Sequence, residues 1–334
     1  MKPLLSITIP TYNRHECLAR TLSVLKPQLR DEVEIVVVDN NSSPSARITV
    51  DDIFPQPTNN VRVICNDVNI GLCANILRCF EVASSDRIWV LSDDDSVDAL
   101  AINTILAHPQ ESLVDIYSIS SRTPLPNIVV DSLTQLLVLL DSWPHLMFIS
   151  SSVYDRKTLL PYIRHAYNFI GCGAPHIALL LFADSDQAMN KFALHSEIIA
   201  DWKAPSLERR YSQFTCIGWA QILSIPHPHA QRLLKPLLLA CLPAARSLLA
   251  HILRDAAMGR DRNVLRNVFT HYVHAVSLTS PSQFKPITAA LLLRILPLLL
   301  LRPALLYNII VRLRRNKLNM EHVNVQFDCY DSDD

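Results

Sequence analysis

The chain has 334 residues, of which 49% are hydrophobic and 19% charged, so it can bury the core of one large domain or two smaller ones. Its five glycines form neither GxGxxG nor GxxxxGKS/T, which argues against a Rossmann dinucleotide site and a P-loop. The formal net charge is zero, and no pattern predicts a nucleic-acid partner. The cysteines are scattered without a CxxC pair, and Met1 to Pro10 carries no apolar leader, so we expect a cytoplasmic chain.

The first half of the chain alternates between strand and helix patterns. The run 33–38 is almost entirely β-branched, as expected for a central parallel strand that is buried on both faces. The alternation predicts an α/β fold with a mainly parallel sheet flanked by helices. The predicted strands are 4–9, 33–38, 61–65, 87–91, 113–119 and 146–154, and the predicted helices are 15–25, 71–83 and 174–183.

The C-terminal part is helical in pattern, leucine-rich and basic. Between Arg209 and Lys317 it carries sixteen Lys and Arg residues but only two acidic ones. The apolar run 287–301 is shorter than the roughly 20 residues that span a bilayer, and it contains Arg294. We therefore expect this part to lie on an anionic membrane surface, the alternative being a solvated helical bundle.

Three polar loops follow predicted strands: Thr11 to Arg14, Asp39 to Asn40, and Asp93 to Asp95. The carboxyl ends of parallel strands share one sheet edge, where ligands bind, so these loops should converge. Adjacent carboxylates suit Mn²⁺ or Mg²⁺, and such an ion can neutralise a diphosphate leaving group. The alternative is that Asp95 and Ser96 cap a helix that follows Val97.

Four motifs in order resemble glycosyltransferase family 2, which has the GT-A fold. They are Ile9 to Arg14, Val37 to Ser43, Asn69 to Gly71 with Asn75, and Trp89 to Asp95. The resemblance spans about residues 4–100 and implies a nucleoside-diphosphate-sugar donor. The second half resembles the family less, and is similar to bacterial O-antigen and capsule transferases of the abequosyltransferase type.

The resemblance implies roles for individual positions. The nucleotide-sugar site would comprise Pro10, Thr11, Tyr12, Arg14, Asp39, Asn41, Gly71, Asn75, Asp93 and Asp94, with Asp39 accepting a hydrogen bond from the base. Asp95 and Asp93 would bind the metal, and Asp93 and Asp94 are not ranked against each other. The alternatives are that Tyr12 is a loop aromatic, Asp39 a turn residue and Gly71 a helix-entry glycine.

The catalytic base is less clearly marked. Family members usually invert at the anomeric carbon, with a carboxylate about 80–95 residues beyond the acidic run, often in a Glu-Asp pair opening a helix. No such pair stands here, and His176 occupies the corresponding helix start. An imidazole can serve as a base near neutral pH. Asp184 and Asp186 are the alternatives, and a capping or buried role for His176 also stays open.

These predictions combine into one expected enzyme. A GT-A domain at 1–225, with a nucleotide-binding half at 1–100 and an acceptor half at 101–225, would be followed by a helical membrane-associating region at 226–320 and an acidic tail at 321–334. The chain would transfer a sugar to a polyprenyl-diphosphate-linked saccharide at the inner face of the plasma membrane. The alternatives are transfer to polyprenyl phosphate itself and an inactive scaffold that binds sugar nucleotide.

Overall fold

A computed structural model describes residues 2–201, except 57, 110, 120–123, 141–143 and 186–190, together with Ile222, Ile225 and His227. The strands are β1 (Leu5–Thr11), β2 (Val33–Asp39), β3 (Val61–Cys65), β4 (Arg87–Val90), β5 (Ser96–Val97), β6 (Val114–Tyr117), β7 (Ile128–Val130), β8 (Ser152–Asp155), β9 (Phe192–His195) and β10 (Ala200–Asp201). The helices are α1 (His15–Leu25), α2 (Arg47–Ile53), α3 (Leu72–Val82), α4 (Ala101–Ala107), α5 (Leu133–Leu139), α6 (Pro144–Met147), α7 (Arg156–Leu159), α8 (Ile163–Tyr167) and α9 (Pro175–Ser185).

Eight strands form one sheet in the order β3-β2-β1-β4-β8-β6-β9-β7. The pairs β2–β3, β1–β2, β1–β4 and β6–β9 are parallel, whereas β8 is antiparallel to both β4 and β6, and β7 is antiparallel to β9. The prediction of a mainly parallel α/β sheet is therefore confirmed. The short strand β5, which directly follows the acidic run, pairs with β10 in a separate antiparallel sheet.

The central strand β2 shows why the sequence forms this sheet. All seven of its residues are buried. Val36 and Val38 pack into the hydrophobic core on the side of α3 and α9, while Ile35 and Val37 pack into the core on the side of α1 and α4. A strand covered on both faces needs apolar residues at nearly every position, which is the pattern that the sequence shows.

The helices α1 and α9 use their apolar residues differently. In α1, Leu18, Leu22 and Leu25 form one fully buried stripe, and the helix gives way to a 3₁₀ turn that contains Pro27. In α9 the residues are buried almost all round, because this helix packs against both α3 and α8. The predicted bounds of α1 agree with the structure.

The predicted strand at 146–154 is wrong in its first half. Residues Pro144–Met147 are helical, Ile149–Ser151 form a 3₁₀ turn, and the strand β8 begins only at Ser152. The Ser151 hydroxyl donates to the Phe148 carbonyl over 2.8 Å. Such local bonds from serine to the backbone favour a turn over a strand ladder, which the apolar pattern alone does not reveal.

The chain divides into two units, Met1–Cys241 and Leu242–Asp334. The predicted helical region at 226–320 and the acidic tail at 321–334 lie outside the described residues, apart from His227. Within the described part of the chain, no helix combines the length and the apolarity needed to cross a bilayer.

Candidate active site

The three predicted polar loops converge at the carboxyl edge of the sheet. β1 is the neighbour of both β2 and β4, so the residues that follow these strands lie side by side. The Asn40 N–H donates to the Thr11 carbonyl over 2.9 Å, and the Leu91 N–H donates to the Thr8 carbonyl over 2.9 Å. The strand ends are thus joined directly, as expected of a ligand-binding edge in an open α/β sheet.

The acidic run binds the loop that follows β1. Asp93, which is 1% exposed, accepts a hydrogen bond from the Thr11 hydroxyl on Oδ2 and one from Arg14 Nη1 on Oδ1, each 2.7 Å long. The second Arg14 nitrogen, Nη2, donates to Asp94 Oδ2. One guanidinium therefore spans two adjacent carboxylates and offsets much of the charge of the run. The Thr21 hydroxyl, which the sequence analysis did not single out, donates to the Asp93 carbonyl over 2.8 Å.

The third carboxylate, Asp95, has a different environment. Burial raises its pKa to about 6, and the nearby charges of Asp93 and Asp201 add to this effect against a hydrogen bond from Ser150 and the charge of Arg14. Its Oδ2 atom accepts the Ser150 hydroxyl over 2.7 Å. Its Oδ1 atom accepts no hydrogen bond from the described residues. Asp95 borders a cavity of about 60 Å³, which is lined by Arg20, Thr21, Val24, Asp94, Asp95, Ser96 and Val97.

These contacts rank the carboxylates as metal ligands. Both oxygens of Asp93 already bind Thr11 and Arg14, whereas Asp95 accepts a hydrogen bond on Oδ2 alone within the described residues and lines a cavity. A buried carboxylate with a raised pKa is short of positive charge, and a hard divalent cation supplies it. Asp95 therefore fits the predicted cation better than Asp93 does. The alternative of a helix cap does not apply, because Ser96 enters β5 and the next helix starts at Ala101.

Asp39 organises the loop that follows β2. Its carboxylate, 1% exposed, accepts hydrogen bonds from the Ser42 N–H, the Ala46 N–H and the Ser45 hydroxyl over 2.9, 2.9 and 3.1 Å. Burial pushes its pKa up, but these hydrogen bonds outweigh burial and hold the pKa below its ordinary value. These contacts agree with the alternative prediction that Asp39 is a turn residue. Asp39 also lies at the sheet edge where the resemblance places the nucleotide base. Asn41, at φ 67°, lies exposed in the same loop.

A network of asparagine amides supports the same edge. Asn40 donates to Asn69 Oδ1 over 2.7 Å and accepts from Asn66 Nδ2 over 3.0 Å. Asn66 also donates to Asn75 Oδ1 over 2.8 Å, and Asn75 donates to the Val38 carbonyl over 2.9 Å. Asn75 is 2% exposed and therefore acts as a support within the site. Asn66 was missed, although its position directly after β3 follows the same rule that marked the other loops.

The remaining donor-site candidates differ in exposure. Pro10 is buried within β1, while Tyr12 is 43% exposed and free to stack on a ligand. Gly71 precedes α3 at φ 84° and ψ 158°, a conformation that only glycine adopts readily. A Cβ atom added at Gly71 would meet no atom within 4 Å, so backbone conformation alone accounts for the glycine. This agrees with the alternative of a helix-entry glycine.

His176 lies in the hydrophobic core beneath the site. The residue is 3% exposed, and its Nε2 atom lies 3.0 Å from the Leu146 carbonyl, to which it donates. Burial lowers its pKa to about 4, even though the bond to Leu146 acts in the opposite direction. Nδ1, the atom left to accept a proton, is buried without a partner among the described residues. An imidazole so placed cannot reach an acceptor hydroxyl, so these observations argue against His176 as the base.

Asp184 is also poorly placed for the role of base. At 1.5 Å per residue it lies roughly 12 Å further along α9 than His176. The start of α9 is near the donor edge, because the Gly173 backbone bonds to the Cys73 thiol beside Gly71. Asp184 Oδ2 instead lies 2.6 Å from His227 Nε2. The third candidate, Asp186, lies outside the described residues.

A second group of possible ligands lies beside α4. His108 Nε2 is 3.3 Å from Glu197 Oε1, and His195 Nε2 is 3.3 Å from Asp115 Oδ1. Asp115 also pairs with the buried guanidinium of Arg87 over 3.1 Å. Each imidazole thus has its own carboxylate. The pair His108–Glu197 joins the end of α4 to the segment that leads into β10, and the pair His195–Asp115 joins β9 to β6. We interpret this group as a structural cluster of paired side chains.

A mainly parallel sheet with an acidic run at its carboxyl edge places the protein in the class of GT-A folds. Residues 6–152 match the Glycosyl transferase family 2 model. The chain is 32% identical over 119 residues to abequosyltransferase RfbV of Salmonella typhimurium, covering 34% of each chain. It is 24% identical over 115 residues to a GalNAc(5)-diNAcBac-PP-undecaprenol beta-1,3-glucosyltransferase of Campylobacter jejuni, covering 34% of this chain and 37% of the relative. Such relatives are matched over only about a third of their length.

Solved structures show the same fold. The mannosyltransferase PcManGT of Pyrobaculum calidifontis, solved with GDP-Man and Mn²⁺, superposes with a TM-score of 0.52 over 96% of this chain and 89% of its own. The sequence identity is 13%, so this likeness concerns the fold alone. The GT-A fold predicted from the four motifs is confirmed.

Proposed function

We propose that the chain transfers a sugar from a nucleoside-diphosphate sugar to a hydroxyl of a lipid-linked oligosaccharide in the synthesis of bacterial surface polysaccharide. The observation that carries this proposal is the convergence of Arg14, Asp93, Asp94 and Asp95 at one sheet edge. A guanidinium and a cation-binding carboxylate at the same edge are the groups that recognise a diphosphate.

The donor half of the proposal rests on this chain's own contacts. The loop closed by Asp39 and the amide network around Asn40 shape one side of the edge, where the base and ribose would lie. Arg14 donates to the acidic run, and its neighbour Asn13 bonds to Ser42 in the loop that Asp39 closes, so the guanidinium would be available to a diphosphate at this edge. Mn²⁺ or Mg²⁺, when bound at Asp95, would neutralise charge on the departing nucleoside diphosphate. Inversion at the anomeric carbon is the outcome that the family resemblance implies.

The acceptor half rests on composition and on the relatives. The Campylobacter relative is named for a saccharide on a PP-undecaprenol carrier, and RfbV for abequosyl transfer. The basic, leucine-rich sequence between Arg209 and Lys317 suits a peripheral position on an anionic membrane, where such a carrier resides. We therefore propose an O-antigen or capsule transferase at the inner face of the plasma membrane.

The experiment measures nucleoside diphosphate release. The purified full-length chain is incubated with a panel of UDP-, GDP-, CDP- and dTDP-sugars and undecaprenyl-diphosphate saccharides, with Mn²⁺, with Mg²⁺ or with chelator. We expect turnover with one donor, dependence on the cation, and loss of turnover in Asp95→Ala. The matched control is Asp98→Ala, which removes an exposed carboxylate three residues further along the chain, beyond β5.

Calorimetry of donor binding separates the possible failures. Binding of a sugar nucleotide without turnover on any acceptor would indicate a scaffold that only binds. If none of the nucleotides binds, with or without cation, the proposed function is wrong. If turnover is equal in Asp95→Ala and the native chain, the role of Asp95 in binding a cation is wrong while the transferase activity stands.

A further inference from the structure

We propose that the Ser150 hydroxyl orients Asp95 for the divalent cation, which makes Ser150 a positioning residue of the metal site. The proposal rests on the proposed function, since it deepens the role given there to Asp95. Ser150 is 0% exposed and lies 55 positions beyond Asp95 in the chain, in the turn before β8. Its side chain reaches the acidic run from the second half of the chain.

The direction of the hydroxyl proton follows from its two neighbours. The Ser92 N–H donates to Ser150 Oγ over 2.9 Å, so this oxygen acts there as an acceptor. Asp95 Oδ2 lies 2.7 Å from the same oxygen. A serine hydroxyl has one proton, and burial excludes water as a competing partner. The proton therefore points to Asp95 and fixes the Oδ2 atom, and Oδ1, which accepts no hydrogen bond from the described residues, remains for a cation.

The backbone of Ser150 is fixed as well. The buried Trp89 indole donates to the Ser150 carbonyl over 2.8 Å. Four residues earlier in the chain, the Leu146 carbonyl accepts from His176 Nε2 over 3.0 Å. The segment 146–150 is thus tied to β4 at one end and to α9 at the other. A hydroxyl on such a support holds a carboxylate in one orientation, as the outer contacts of metal sites do.

The neighbouring serines do not share this role. The Ser151 hydroxyl donates to the Phe148 carbonyl over 2.8 Å, and the Ser152 side chain bonds to Tyr154. Ser151 is as buried as Ser150, at 0% exposure. The chain therefore offers a matched control in which a buried serine hydroxyl is removed one position away from the contact with Asp95.

The test measures Mn²⁺ affinity by calorimetry on the full chain, with the donor nucleotide present and turnover absent. We expect Ser150→Ala to weaken Mn²⁺ binding about 10- to 100-fold, the usual effect of losing an outer contact of a metal ligand. Ser151→Ala should leave the affinity unchanged, and Ser150→Thr, which keeps the hydroxyl, should restore most of it. Circular dichroism and urea unfolding establish that each variant is folded.

The outcomes are distinct. Unchanged affinity in Ser150→Ala, or an equal loss in Ser151→Ala, overturns the proposal. If Ser150→Ala does not fold, the comparison passes to Ser150→Thr and Ser150→Cys, and equal Mn²⁺ affinity in these two overturns it. If the native chain binds no Mn²⁺ with any nucleotide, the metal dependence in the proposed function is wrong. That result is distinct from one in which the native chain binds Mn²⁺ and Ser150→Ala binds it equally well.

Discussion

Replacing His176 by glutamine should make the stability of the protein less sensitive to acid. Burial lowers the pKa of His176 to about 4, against an ordinary value of 6.5. Below pH 6.5 the unfolded chain takes up a proton on this residue that the native state cannot hold. The free energy of unfolding therefore decreases as the pH falls from 6.5 towards 4. Above pH 6.5 His176 is neutral in both the native and the unfolded state, so it causes no such loss.

The size of the effect follows from these two values. Between pH 7 and pH 5 the linkage costs the native state about 2 kcal/mol, and complete titration would cost about 3 kcal/mol. Glutamine cannot titrate, and its side-chain amide can still donate to the Leu146 carbonyl. We expect the free energy of unfolding of the native chain to fall by about 2 kcal/mol more than that of His176→Gln between these two pH values.

Urea unfolding at pH 7 and pH 5 measures this difference. Comparing each protein with itself removes the packing cost of the substitution. The control is His165→Gln, which removes an exposed histidine from α8. An equal loss of stability in the native chain and in His176→Gln would show that the imidazole is not held neutral in the core.

Turnover of the same variant tests the role predicted from the family pattern. A positioned general base contributes about 100- to 10,000-fold to the rate. Because His176 is buried beneath the site, we expect His176→Gln to keep turnover within about tenfold of the native rate, well below that contribution. A loss of a thousandfold with the fold intact would restore His176 as the base and refute the structural interpretation.

Three further predictions concern other parts of the chain. Asp39→Ala should lower both the free energy of unfolding and the free energy of donor binding by about 1–3 kcal/mol, because the Ser42 and Ala46 amides lose a buried acceptor; unchanged donor affinity in calorimetry would exclude Asp39 from the base site. Gly71→Ala should destabilise the fold by about 1–3 kcal/mol through backbone strain alone, as measured by urea unfolding; a neutral result would mean that the loop relaxes. Truncation near Pro286 should reduce flotation with anionic vesicles without changing nucleotide affinity, whereas a full-length chain that ignores such vesicles would contradict membrane association.

The donor half of the fold could be predicted because each local pattern there agrees with the global fold. β2 is apolar at nearly every position, α1 repeats leucine at helical spacing, and each polar loop follows a parallel strand. The carboxyl ends of parallel strands necessarily share an edge, so sequence position alone brings Arg14 near Asp93. Periodicity and strand direction carry enough information for this half.

The acceptor half could not be predicted in the same way. Whether a histidine at a helix start faces a ligand or the core depends on which neighbours cover it, and Leu146 and Tyr154 belong to other elements. The role of Ser150 was hidden for another reason. Ser150 precedes β8, which runs antiparallel to β4, so the start of β8 lies beside the carboxyl end of β4. An analysis that considers only the residues following each strand therefore misses Ser150.

The place of β8 in the sheet also affects how the chain can assemble. During synthesis on the ribosome, β4 is complete at Val90, but its outer neighbour begins only at Ser152. Until then, the buried strand that carries Trp89 has an open edge with unpaired backbone groups, the kind of edge that recruits strands from other chains. The first hundred residues hold nearly every recognisable motif, yet expressed alone they would lack the strand that closes their sheet. We expect such a fragment to aggregate, because the strand that covers the edge of β4 is encoded about sixty residues later.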